Sequence, residues 1–234
     1  MHLADLIISA RWIVPVEPAG IVLEDHSVVV HNGRILAVLP RGTALDSYPS
    51  AARIDRPDHV LLPGLVNAHT HAAMTLFRGM ADDLPLETWL NQHIWPAETR
   101  WVTADFVQDG AELALLEMLK GGTTTFGDMY YFPDVVARAA ADSGLRAAVG
   151  MIVLEQPTVW AQSADEYLSK GLIVRDQFKG HRRVSTLFAP HAPYSVADRT
   201  FEQIRMLADE LDVPVQMHVH ESAAEVAASV SKFQ

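Results

Sequence analysis

From residue 60 onward the chain alternates β-prone runs with amphipathic stretches, and that alternation leaves few folds open. Strands are expected over 60–68, 123–126, 146–153, 184–188 and 213–217, and helices over 103–120, 133–143, 163–178, 197–211 and 222–231. The punctuation agrees with this reading. Thr103 suits an N-cap, Gly121-Gly122 a stop, Pro133 a helix start, and Gly144 the position just past a helix end. Such alternation implies right-handed crossovers and a parallel sheet. Polar residues recur at the C-terminal ends of these strands: His69 and His71, Asp128, His191, then His218. A (β/α)₈ barrel places its active site there. A doubly wound sheet would also bind ligands at strand ends, but no Gly-x-Gly-x-x-Gly fingerprint follows any strand.

Residues 1–58 read differently, as an all-β segment. Strands are expected over Leu3–Ser9, Ile21–Leu23, Ser27–His31 and Arg34–Leu39. Asn32-Gly33 between the last two is a hairpin signal, because a type I′ turn needs positive φ at both central positions. The fold expected is α/β: a partial (β/α)₈ TIM barrel over 59–234, truncated, preceded by part of a small β-sandwich over 1–58. At ~30–35 residues per βα unit, the barrel segment supplies about five units of eight. The expectation is therefore an N-terminal portion of a longer enzyme, inactive when alone.

Composition removes several function classes. The formal net charge is −11 and no basic run appears, which argues against nucleic-acid binding, since phosphate contacts need clustered Lys and Arg. There is no cysteine, so neither a disulfide nor a thiolate metal site can form. The first residues carry Asp5 and Arg11 inside an apolar stretch, unlike a signal peptide, and no run of ~20 apolar residues suggests a membrane span. A cytoplasmic location is expected.

Two histidine clusters carry the chemistry. Residues 60–71 read VLLPGLVNAHTH. Side chains two apart on a strand share a face, so His69 and His71 project together from a strand end. Paired imidazoles suit a divalent transition metal, most often zinc. A bare His-x-His is commonly two unrelated surface residues, but here Pro63-Gly64 punctuates the strand and polar Asn67 leads into the pair. Residues 213–221 read VPVQMHVHE. His218 can add a third imidazole, and Glu221 lies just beyond, placed to move protons at a metal-activated water. His220 shares the face of His218 one step further on.

These blocks resemble the amidohydrolase superfamily. AMTLFRGMADDLPLETWLNQHIWPAE, GGTTTFGDMY, LFAPHAPYSV and QMHVHES are similar to the subgroup that holds 5′-methylthioadenosine/S-adenosylhomocysteine deaminases and triazine hydrolases. The resemblance covers essentially the whole chain. It implies metal ligation by His69, His71 and His218, and proton transfer by Glu221. It also implies substrate binding by Trp89, Glu98 and His191, with Trp89 against the base and Glu98 accepting ribose hydroxyls. Two-metal relatives use a carboxylated lysine on strand four. VSTLFAP has none, and Lys179 lies outside it, so the resemblance implies a single metal per subunit, zinc or else Fe²⁺. The strand-six histidine and strand-eight aspartate of the pattern have no counterpart in these residues.

The function implied is hydrolytic deamination of an adenine nucleoside, methylthioadenosine or adenosylhomocysteine, to the inosine analogue and ammonia. The partner is then a small-molecule nucleoside, with neither nucleic acid nor membrane involved, and the full-length protein a homo-oligomer. The alternatives are a triazine or other heterocycle amino- or chlorohydrolase, and a non-catalytic truncated module. Asp128 has no assigned role.

Overall fold

The computed structural model describes residues 3–233, which form two compact units meeting in sequence at Gly64/Leu65. In the first, β1 (Leu6–Ile13), β2 (Leu23–His31), β3 (Arg34–Pro40) and β4 (Ala52–Leu61) make one sheet in the order β3-β2-β1-β4. Only the β1–β4 pair is parallel. The short helix α1 (Arg41–Ser47) contributes Ala44 to a small core with Ile7, Val29 and Ala51. The expected hairpin is present: Asn32 and Gly33 have φ of 51° and 70°, and His31 pairs with Arg34. Several elements differ from expectation: β1 runs over Leu6–Ile13 rather than Leu3–Ser9, and neither α1 nor most of β4 was expected. Ile21–Leu23 is no separate strand, because Leu23 opens β2. Val60 and Leu61 close β4, and the histidine-bearing strand starts only at Leu65, since Pro63 has no N–H for a ladder and Gly64 follows it.

The second unit is a parallel sheet in chain order, β5 (Leu65–Thr70), β6 (Thr123–Met129), β7 (Arg146–Val153) and β8 (Val184–Pro190). After β5 come a 3₁₀ turn (Ala72–Phe77), α2 (Leu86–Trp89), a π-helical turn (Leu90–Ile94), α3 (Trp95–Trp101) and α4 (Ala104–Lys120). Helix α5 (Pro133–Ser143) links β6 to β7 and α6 (Ala164–Phe178) links β7 to β8. Helices α7 (Asp198–Leu211) and α8 (Ala223–Phe233) follow. Phe126, Met129, Val136, Val149, Met151 and Phe188 are buried in the core of this unit. The alternation and the parallel order are those of a partial (β/α)₈ barrel.

Local chemistry explains the boundaries. Thr103 caps α4 by accepting the Phe106 N–H at 3.1 Å, and Ser163 caps α6 by accepting that of Glu166 at 3.3 Å. The π turn precedes Pro96, whose missing N–H cannot close a regular helical bond to the preceding turn. The fifth strand expected over 213–217 is reduced to a single parallel bridge, Phe188 with Val215. There the Phe188 N–H donates to Pro214 O and the Gln216 N–H to Phe188 O, both at 2.9 Å. Pro214 again removes a ladder donor. No helix among the described residues is long and apolar enough to cross a membrane.

Candidate metal centre and substrate pocket

The ends of β5 and of the Val215 bridge bring three imidazoles together. His69 Nε2 and His71 Nε2 are 3.2 Å apart, and His218 Nε2 lies 3.1 Å from the first and 3.3 Å from the second. Nitrogens bound tetrahedrally at ~2.0–2.1 Å from one zinc stand ~3.3 Å from each other. The triangle therefore has the dimensions a single such cation requires.

The outer nitrogens fix the tautomers. His71 Nδ1 lies 2.6 Å from Met129 O, and His218 Nδ1 2.8 Å from His191 O. A carbonyl only accepts, so both Nδ1 atoms carry the proton and both Nε2 atoms present bare lone pairs. Lone pairs facing each other repel unless a cation lies between them, and carbonyl-held imidazoles of this kind recur at metal sites. His69 Nδ1 sits 3.2 Å from Gln216 Nε2, whose amide also donates to Ala68 O at 3.1 Å. Burial holds His71 down to about pH 4 as an acid, so it is a neutral donor at pH 7. His69 is lowered too, first by burial and then by His218. Cation-binding clusters found among the described residues comprise these three histidines, with no carboxylate.

A pocket opens beside the triad, lined by His71, Trp89, Trp95, Glu98, Tyr130, His191, Tyr194, His218 and Glu221. Of the seven residues expected to ligate metal, move protons or bind substrate, six border this one cavity, and His69 joins it through the triad. Asp128 and His220 do not line it. Glu98 is buried and accepts from the Tyr130 and Tyr131 hydroxyls at 2.8 and 3.3 Å. Burial raises its carboxyl to about 7, with both tyrosines opposing the shift. His191 is depressed to about 3, chiefly by burial and then by His218. Its Nδ1 lies 2.8 Å from Ser195 Oγ, whose own proton can reach Ala192 O at 3.2 Å. Glu221 is exposed at the rim, and its Oε2 accepts from the Tyr194 hydroxyl at 2.7 Å. Its backbone is held as well. The Glu225 carboxylate accepts the N–H groups of His220 and Glu221 at 3.0 and 2.8 Å, and Ser222 Oγ accepts from Glu225 N at 3.1 Å. Ser222 thus caps α8 as in a capping box, but Glu225 reaches past the N-cap N–H to those of the two residues before it.

His220 departs from its expected orientation. Its φ is +59°, so strand alternation stops there and the face shared with His218 is lost. The sequence reading also missed the groups that hold the site: Tyr130 and Tyr131 under Glu98, Tyr194 on Glu221, Gln216 beside His69, and Asp128 beneath the His-Thr-His segment. A Ser-x-x-Glu signal at 222–225 was legible for the Ser222 cap. The tyrosines carry no such local pattern.

Known proteins resemble this chain in sequence and in fold. A 5-methylthioadenosine/S-adenosylhomocysteine deaminase of Saccharophagus degradans is 46% identical over 230 residues, which cover 98% of this chain and 52% of the relative. A crystal structure of an adenosine deaminase from Xanthomonas campestris with bound zinc superposes with a TM-score of 0.95 at 52% identity, covering 98% of this chain and 52% of that one. A triazine hydrolase from Arthobacter aurescens shares the fold, with a TM-score of 0.86 at 22% identity over 99% of this chain and 56% of that one. The chain spans about half the length of the curated relatives it matches. The model of the amidohydrolase family matches residues 60–234, the segment that holds every residue of the pocket, and the chain belongs to that family.

Proposed function

We propose that this chain carries the metal-binding and substrate-binding half of a hydrolytic deaminase acting on adenine nucleosides, with 5′-methylthioadenosine and S-adenosylhomocysteine as substrates. The observation that supports it best is the triangle of Nε2 atoms, 3.1–3.3 Å on each side. His69, His71 and His218 would hold one zinc. Fe²⁺ accepts the same imidazole donors. A bound zinc supplies a water that ionises near neutral pH.

The chain's own residues do the rest. Trp89 packs against the purine, and Glu98 accepts the ribose hydroxyls. His191, kept neutral by its surroundings, contacts the heterocycle as a hydrogen-bond partner. Glu221 takes a proton from the attacking water and passes it to the ring nitrogen next to the amino-bearing carbon as the oxygen adds there, so charge does not accumulate on the ring. Tyr194 holds Oε2 of that carboxylate, which leaves Oε1 for the transfer. The carbon keeps the water oxygen; one water proton stays on the ring nitrogen and the other leaves on the amino nitrogen as ammonia, giving the inosine analogue.

Three imidazoles can hold one zinc with a fourth position left for water, but the chain spans only about half the length of the relatives named as deaminases. The 234 residues alone are therefore expected to bind zinc but to turn over no nucleoside, whereas a longer protein containing them turns over both substrates. Ammonia release from methylthioadenosine and adenosylhomocysteine measures this. Turnover of a chloro-triazine by the longer protein, with none of any adenine nucleoside, would replace the deaminase by a dehalogenating hydrolase. Full activity of the short chain would remove the need for further residues.

A further inference from the structure

Asp128 stands at the C-terminal end of β6 and is 1% exposed. Its Oδ2 has no hydrogen-bond partner among the described residues. Leaving a carboxylate oxygen buried and unpartnered is costly, so such a group is retained where its other contacts matter. Oδ1 makes those contacts. It accepts the Ala72 N–H at 2.7 Å and lies 2.8 Å from Thr70 Oγ1, which also reaches Gly127 O at 2.9 Å. Thr70 and Ala72 are the two neighbours of His71. The next residue along β6, Met129, accepts a hydrogen bond from the His71 Nδ1–H on its carbonyl.

Three consecutive residues of the ligand segment are thus gripped by two consecutive residues of β6. The ordinary ladder does not do this work. The β5–β6 register is irregular between Asn67 and Thr70, so the backbone around His69 is not held in step by strand pairing. Nor does a side chain of the segment itself cap the 3₁₀ turn that begins at Ala72. The Asp128 carboxylate takes over both tasks.

We infer that Asp128 is a positioning residue for the metal centre, fixing the His69-Thr70-His71 segment through Thr70 and Ala72 so that both imidazoles meet His218 at one cation. The inference rests on the metal reading above and deepens it. It assigns Asp128 no contact with the cation or the substrate.

The test uses the 234-residue chain and two readouts apart from turnover: zinc affinity by competition with a chromophoric chelator, and the visible spectrum of the Co²⁺-loaded chain. Asp128→Ala should lower zinc affinity about 10- to 100-fold, the range seen when groups orienting metal ligands are removed. It should also alter the Co²⁺ bands. Asp128→Asn keeps an acceptor at Oδ1 and should stay within about threefold of the parent. Asp128→Ala with parental affinity overturns the inference, and so does Asp128→Asn as weak as Asp128→Ala. If Asp128→Ala does not fold, Thr70→Val carries the test, because it deletes only the hydroxyl; it should weaken zinc binding at least threefold, and unchanged affinity overturns the assignment. Failure of the unsubstituted chain to bind zinc or Co²⁺ sinks the metal reading itself, and the inference falls with it. Binding by the parent together with unaffected variants sinks the inference alone.

Discussion

The carbonyl of His191 accepts from His218 twice, from its backbone N–H at 3.1 Å and from its Nδ1 at 2.8 Å. One residue therefore serves two purposes. Its main chain orients a proposed metal ligand, and its side chain lines the proposed substrate pocket. His191→Ala should separate them. Zinc affinity should stay within about threefold, because the carbonyl remains, while turnover by the complete enzyme falls roughly 100-fold, within the range for loss of a positioned polar side chain. Parallel loss of zinc would show that the ring, rather than the carbonyl, holds His218.

Tyr194→Phe tests the second contact. The hydroxyl donates to Glu221 Oε2 at 2.7 Å from an exposed position. Its removal frees the carboxylate to rotate away from the pocket. Turnover should drop about tenfold, equivalent to ~1.4 kcal/mol, with KM for the nucleoside changed less than threefold. A KM effect without a kcat effect would make Tyr194 a substrate contact instead.

Stability should depend on pH through Glu98. Burial lifts its carboxyl from 4.5 to about 7 in the fold. Between these values the folded state holds a proton that the unfolded chain has released. This contribution is complete below pH 4.5 and is lost as pH rises toward 7, on the order of 3 kcal/mol. His191 works in the opposite sense. It is neutral when folded down to about pH 3, against 6.5 when free, so its contribution is full above pH 6.5 and falls as the solution is acidified. The two slopes oppose each other between pH 4.5 and 6.5. Glu98→Gln should unmask the histidine slope, and metal-free denaturant titrations across pH 4.5–7.5 would then show stability rising with pH. An unchanged profile would mean that Glu98 ionises normally.

Gly127 allows β5 and β6 to approach next to the proposed ligands. A Cβ built there meets Ala68 O at 2.6 Å, on the backbone and beside His69. Gly127→Ala should cost about 1–3 kcal/mol, read by denaturation, and should weaken zinc binding because β5 must shift. Wild-type stability would show that the strands have room to separate.

Much of this was readable in the residues, for identifiable reasons. Thr103, Gly121, Pro133 and Gly144 act through local rules, and α4 and α5 begin and end where those residues place them. The Asn32-Gly33 turn is equally local. His69, His71 and His218 were legible because imidazoles at strand ends are a chemical pattern. The strand expected over 213–217 was not, because a β-prone composition says nothing about whether ladder partners exist, and Pro214 withholds one donor. Tyr130, Tyr131 and Asp128 were opaque for another reason. Their roles depend on partners more than 30 positions away in the chain, as in Tyr130 with Glu98 and Asp128 with Ala72.

The π-helical turn before Pro96 has a consequence for how this segment can vary. Leu86, Leu90, Ile94 and Glu98 all face the pocket at steps of four. In a regular α-helix each such step drifts ~40°, so the last would have swung ~120° from the first. The wider turn over Leu90–Ile94 takes up much of that drift. Length in this stretch is thus as constrained as composition: an exchanged side chain disturbs one contact, whereas a single deletion throws every residue on its far side out of phase with the cavity.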